Sequence, residues 1–141
     1  MERIEGEYCK VCGKPNPEEH HIIKRSQAKF LINCKLNKVY LCAEEHRGKF
    51  GVHGKNGSKL DKALKLEMQQ NLEILMDKQY FTREEVKDIL QINEKNVNSL
   101  CKLIKQDKCM FARDNIIIAI MGGKKVTEEE VKELNESTDS Y

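Results

Sequence analysis

The sequence predicts an α+β fold in two parts. A small metal-stapled domain of two short strands and a helix over residues 1–60 is followed by an all-helical, helix-turn-helix-like module over 79–123. Three observations predict it. Residues 8–54 break into short apolar pieces, "HHII", "KVYLC" and "GVHG", punctuated by Gly, Pro and Asn, which is strand-and-loop text. From Asp61 onward apolar residues recur at helical spacing, with capping residues at the breaks. The chain has no Trp and only 6% aromatic residues, yet all 4 histidines and most of the 6 cysteines crowd into the first part. A segment of that size and composition buries too little apolar surface to fold without a staple.

In chain order, the expected strands are His20 to Lys24 and Lys38 to Cys42, with a helix after the second. "DKALKLEMQQNLEILMDK", residues 61–78, sets Leu64, Met68, Leu72 and Leu75 on one stripe and reads as a connecting helix. Thr82 with Glu85 three residues on is a capping box, and Val86, Ile89 and Leu90 share the face of the helix it opens. Asn93 caps a second helix that turns Val97, Leu100 and Ile104 inward, and "RDNIIIAIMGG" forms a third, stopped by Gly122 and Gly123. Two helices joined by a short turn and covered by a third have the helix-turn-helix pattern. Residues 124–141, "EEEVKELNESTDSY" above all, form an acidic tail expected to fray.

The formal charge of +2 is unevenly spread: residues 1–60 hold 12 Lys and Arg against 7 Asp and Glu, a net +5, which leaves −3 for the rest. A basic segment rich in histidine and cysteine suggests contact with a polyanion, and by charge alone a solvated surface explains it equally well. "MERIEGEY" carries no apolar secretory stretch, and "IIIAIM" is far too short to span a bilayer, so the expected setting is a cytoplasm and no membrane partner is implied. Thiols stay reduced there, which makes the cysteines metal ligands or buried apolar residues rather than disulfides.

Cys9 and Cys12 form a C-x-x-C knuckle that points two thiolates at one tetrahedral ion. His20 and His21 are neighbours on a strand, so they point to opposite faces and cannot serve one ion together. Onward come Asn37 in "LNKVYLC", His46 in "CAEEHRG" and His53 in "GVHG". The order His-His, Asn, His, His, laced with cysteines, resembles the HNH endonucleases, whose ββα-metal site cleaves nucleic-acid phosphodiesters. The likeness is greatest to small phage proteins with "LC..HHRG..GVHG"-like text and an "EDIIRRLMGG"-like tail, matched here from Asp114 to Gly123. It covers most of the chain.

The resemblance implies a metal-dependent DNA endonuclease of low sequence specificity, phage or prophage encoded, acting in a bacterial cytoplasm. His21 would be general base and Asn37 would orient it through the loop backbone; Asn33 is the weaker match. His20, His46 and His53 would hold a divalent ion, Mg²⁺, Mn²⁺, Ni²⁺ or Zn²⁺, with positions left open for water and phosphate. Cys9, Cys12 and Cys42 would hold a structural Zn²⁺. For its fourth ligand the reading stays open: Glu45 or Cys34 completes the tetrahedron, His46 is drawn into it, or the three cysteines are simply buried apolar residues. Lys24, Arg25 and Arg47 would meet phosphate, with solvated charge an equal reading for Lys24. Lys95, Asn96, Asn98, Ser99 and Lys102 line the outward face of the second tail helix, which would dock either DNA or a phage protein. A different class of function fits the same residues: a non-catalytic, zinc-stabilised binding protein regulating phage DNA metabolism or host defence.

Overall fold

The computed structural model describes residues 3–49, 51–54 and 57–132. Its fold is mixed α+β, with two small antiparallel sheets, and the chain divides into two compact units that interleave in sequence. The first takes residues 1–22, 38–66 and 126–141; the second takes 23–37 and 67–125. Among the described residues no helix is long and apolar enough to cross a membrane.

In the first unit, β1 (Glu18–His21) pairs antiparallel with β2 (Lys38–Leu41), His20 opposite Val39 and His21 opposite Lys38. The alternating burial of β1 turns Glu18 and His20 inward and Glu19 and His21 outward. The short helix α1 (Ala43–Arg47) follows β2 directly and packs on both strands. α2 (Ser58–Leu75) begins here, and residues 128–132 return as a helical turn whose Glu130 meets Lys62 at 3.3 Å. Only seven apolar residues of this unit are buried among those described: Cys9, Ile22, Val39, Leu41, Cys42, Leu64 and Val126. Glu18, His20 and His46 are buried beside them. So small and polar a core falls short of what a domain needs from apolar burial alone.

The second unit holds the other twenty buried apolar residues, among them Phe30, Leu31, Leu72, Phe81, Val86, Leu100 and Ile116. Single 3-10 turns at Lys29–Leu31 and Lys35–Asn37 lead in, and the first packs on α4. After the second half of α2 come β3 (Tyr80–Phe81), α3 (Arg83–Leu90), α4 (Glu94–Cys101), β4 (Gln106–Asp107), β5 (Met110–Ala112) and α5 (Arg113–Ile120). The capping box of Thr82 and Glu85 is formed, and the Asn93 side chain accepts from the Asn96 amide at 2.8 Å. Gly122 and Gly123, at φ +82 and +103, end α5 in the left-handed region that glycine enters without strain.

The structure corrects four expectations. The first strand runs Glu18–His21 rather than His20 to Lys24, because Ile23 gives its N–H and C=O to the Asn37 side chain, at 2.7 and 3.2 Å, instead of to a strand. The connecting helix spans Ser58–Leu75 rather than 61–78, and Arg113 holds the carbonyls of Glu73 and Met76 at its end, at 2.8 and 2.6 Å. Its inner stripe continues from Leu72 to buried Met76, while Leu75 is exposed. The tail module is not all-helical: β3, β5 and β4 make a three-stranded sheet in that order. Its strands are two or three residues long, and the hairpin turns on Lys108 and Cys109, at φ 50 and 64, without the glycine or asparagine that announces such a turn.

Candidate metal centres

Two groups of side chains in the first unit converge closely enough to hold a metal ion: Cys9, Cys12 and Cys42, and His20, His46 and His53. Within each, the ligand atoms lie within 4.8 Å of one another.

The thiol group is built from a knuckle and a helix start. The Cys9 amide donates to the Lys14 carbonyl at 2.8 Å and the Gly13 amide to the Cys9 carbonyl at 2.9 Å, curling "CKVCGK" so that Cys9 and Cys12 face one way. Lys10 ties that loop to β2 through the Tyr40 carbonyl, at 2.9 Å. Cys42 is the N-cap of α1, its sulfur accepting from the Glu45 amide at 3.5 Å. The Cys12 and Cys42 sulfurs are 3.5 Å apart, close to the roughly 3.8 Å edge of a tetrahedral zinc thiolate site. Burial alone would raise the Cys9 thiol, but the amides of Cys12, Cys42 and Val11 and the Cys12 side chain outweigh it and draw it from 9.0 to about 7. The Cys12 thiol is raised: the Lys14 amide lowers it, and desolvation with the neighbouring Cys42 and Cys9 more than offsets that. Sulfurs so crowded, one already biased toward thiolate, suit a thiophilic cation such as Zn²⁺.

Among the described residues no fourth ligand joins this group. Glu45 contributes its backbone amide. Cys34 lies in the second unit, with its thiol on the Leu90 carbonyl at 3.3 Å. His46 belongs to the other group.

The imidazole group draws one residue from each of three local structures. His20 comes from the inward face of β1 and His46 from α1. His53 comes from a loop folded back on that helix, its amide donating to the His46 carbonyl at 2.9 Å and the Val52 amide to the Glu45 carbonyl at 3.0 Å. The loop is drawn tight at Gly54, where a β-carbon would collide with the Gly48 carbonyl oxygen. Ring centroids stand 5.1 Å (His20 to His46), 4.9 Å (His20 to His53) and 4.7 Å (His46 to His53) apart.

Two atoms suit this group to receiving a cation. The Nε2 atoms of His20 and His46 are buried and have no hydrogen-bond partner. A buried polar atom left unpaired costs about 1–3 kcal/mol, a debt a bound cation would cancel. Burial first, then the charges of His53, His46, His21 and Lys65, press His20 down to about 3, so its ring is neutral with a lone pair to give.

His46 is set by a residue the sequence reading passed over. Glu18, 2% exposed, accepts from His46 Nδ1 at 2.9 Å and from Arg47 Nε and Nη2 at 3.0 and 2.7 Å. The bond from His46, opposed by burial and helped by Arg47, holds the Glu18 carboxyl below the usual carboxylate range. An ionised carboxylate on Nδ1 keeps the proton there and leaves Nε2 bare, the arrangement by which outer carboxylates orient metal-binding imidazoles. In "PEEHH", Glu18 shares the period-2 face of His20, and that alternation was the available signal.

The remaining candidates are more dispersed. His21 lies on the outward face of β1, half-buried. Asn37, 1% exposed, pins Ile23, two residues along the chain from His21, and also donates to the Leu31 carbonyl at 3.4 Å. Arg47 is engaged by Glu18. Lys24 and Arg25 are exposed and belong to the second unit, as do Lys95 and Lys102 on α4. The chain thus carries two groups that could each hold a metal ion, and comparison with protein-family models, curated proteins and solved structures yields no match.

Proposed function

We propose that this protein is a metal-dependent endonuclease of the HNH kind, phage or prophage encoded, that hydrolyses DNA phosphodiester bonds. The observation that carries the reading is the pair of unpartnered, buried Nε2 atoms of His20 and His46, with a further imidazole, His21, next to His20 in sequence but turned to the other face of the strand. A purely structural ion has no use for that divergent histidine. The succession β1, β2, α1, with ligands from strand, helix and following loop, supports the same reading.

His20, His46 and His53 would hold a divalent cation, which supplies neutralisation of the charge that grows on phosphate and leaving oxygen. His21 would accept the proton of the attacking water at an imidazole nitrogen, and Asn37 steadies the backbone that follows it. Glu18 fixes the His46 ring. Cys9, Cys12 and Cys42 would hold a structural zinc in place of the apolar core the unit lacks.

The test is nicking of supercoiled plasmid with Mg²⁺, Mn²⁺, Ni²⁺ or Zn²⁺ added, wild type against His21→Ala. The variant is expected to lose about 10²- to 10⁴-fold in rate while keeping its metal content. A variant that cuts at the wild-type rate removes His21 as base. Wild-type protein that holds metal in the imidazole group and cuts nothing would make this a metal-stapled binding protein instead.

A further inference from the structure

The interleaving of the two units relocates the basic charge. Residues 23–37 carry Lys24, Arg25, Lys29 and Lys35 and no acid, and they fold into the second unit, which thereby holds 14 Lys and Arg against 9 Asp and Glu, a net +5. Among its described residues the unit with the metal groups holds 10 against 10, with no net charge. A polyanion is drawn to the second unit.

That unit also has a surface shaped for one. On α4, Lys95, Asn98, Ser99 and Lys102 fall at i, i+3, i+4 and i+7 and are all exposed, opposite buried Val97 and Leu100. Beside this stripe stands the β4–β5 hairpin, with exposed Lys105 and Gln106 at its base and Lys108 at its tip. Helix and hairpin share a groove of about 570 Å³, lined by Asn98 and Lys102 from one and Gln106 from the other, with Arg83 at its edge. The acids nearby are largely occupied: Glu94 by Lys87 at 2.8 Å and Arg83 at 3.4 Å, and Glu84 by Arg83 at 3.0 Å, leaving Asp107 as the hairpin's own carboxylate. Arg83 also donates to Asn98 Oδ1, which steadies that side-chain amide on the exposed face.

We propose that the second unit reads duplex DNA, with α4 in the major groove and the β4–β5 hairpin on the neighbouring backbone. A major groove about 12 Å wide admits one α-helix, whereas the deep, narrow groove of A-form RNA excludes it. An amide and a hydroxyl among lysines is the mixture that base edges and phosphates call for: Asn98 and Ser99 can specify, while Lys95, Lys102 and Lys108 position. The inference rests on the nuclease reading for what becomes of the bound duplex, and it adds sequence preference.

The experiment is selection from a pool of random duplexes with full-length His21→Ala protein, followed by affinity measurements over a salt series. A shared motif is expected. Asn98→Ala should lose about tenfold or more on that motif and relax choice at one position. Lys102→Ala combined with Lys108→Ala should weaken all duplexes alike and reduce the slope of log affinity against log salt by about 2. Failure to enrich any motif overturns the proposal, as does an unchanged salt slope in the double variant. Plasmid nicking without a motif would remove the reader and keep the nuclease; a motif without nicking would do the reverse.

Discussion

Replacing Glu18 probes how the imidazole group is held. In Glu18→Gln the side-chain oxygen can still accept from His46 Nδ1, now 2.9 Å from a carboxylate oxygen, so the tautomer survives while the negative charge and the two bonds from Arg47 weaken. In Glu18→Ala the acceptor disappears and Nδ1 is left buried without a partner. Loss of such an outer carboxylate lowers metal affinity about 10- to 100-fold. The Gln variant is expected at the lower end, about 1.4 kcal/mol, and the Ala variant at the upper, about 2.7 kcal/mol. Cobalt titration separates the two groups, because only the cysteines give a thiolate-to-metal charge-transfer band. The band should be unchanged in Glu18→Gln, showing that the knuckle is intact, while the imidazole site fills at higher cobalt. Glu19→Gln, on the outward face of the same strand and 3.6 Å from Lys38, should titrate as wild type. Equal affinity in wild type and Glu18→Ala would refute the argument that Glu18 presents His46.

Two further perturbations act on the same unit. Prolonged chelation should release the staple and open it alone: hydrogen exchange at Val39 to Leu41 and at His46 is expected to become fast while Ile116 to Met121, in the larger apolar core, stay protected; uniform protection in stripped protein would show that the thiol group is not needed for folding. Gly54→Ala drives a methyl into the Gly48 carbonyl and must push the loop of His53 away from α1, so the imidazole group should lose metal while the charge-transfer band of the thiol group persists; tight binding at both groups in this variant would contradict the observed close approach.

What the sequence revealed depended on whether the signal was local. Caps are local, and Thr82 with Glu85 and Asn93 with Asn96 form as their spacing implies. The convergence of His20, His46 and His53, and of Cys9, Cys12 and Cys42, was legible because ligand chemistry restricts residue type so strongly. Three features were harder to read. Glu18 is told from Glu19 only by sharing the face of His20, and the register against Leu41 and Tyr40 turns that face inward. The three-stranded sheet rests on pairings between residues such as Phe81 and Phe111, thirty positions apart, with too few residues per strand to show a period. The assignment of 23–37 to the second unit follows from Phe30 and Leu31 packing on α4, which no contiguous reading of the chain can express.

That reassignment changes how the sequence's charge argument applies. The +5 of residues 1–60 placed anion binding and metal chemistry in one domain, but Lys24, Arg25, Lys29 and Lys35 fold with the helices, and the described residues of the metal unit carry no net charge. Within that unit the two groups are also mechanically joined. Cys42 caps α1 and His46 lies one turn later on the same five-residue helix, its amide bonded to the Cys42 carbonyl at 2.9 Å. A helix so short has little stability of its own, so whatever fixes the Cys42 sulfur also aims His46. An ion at the cysteines would thus preorganise the histidines, and because such coupling is reciprocal an ion at the histidines would steady the Cys42 sulfur in turn.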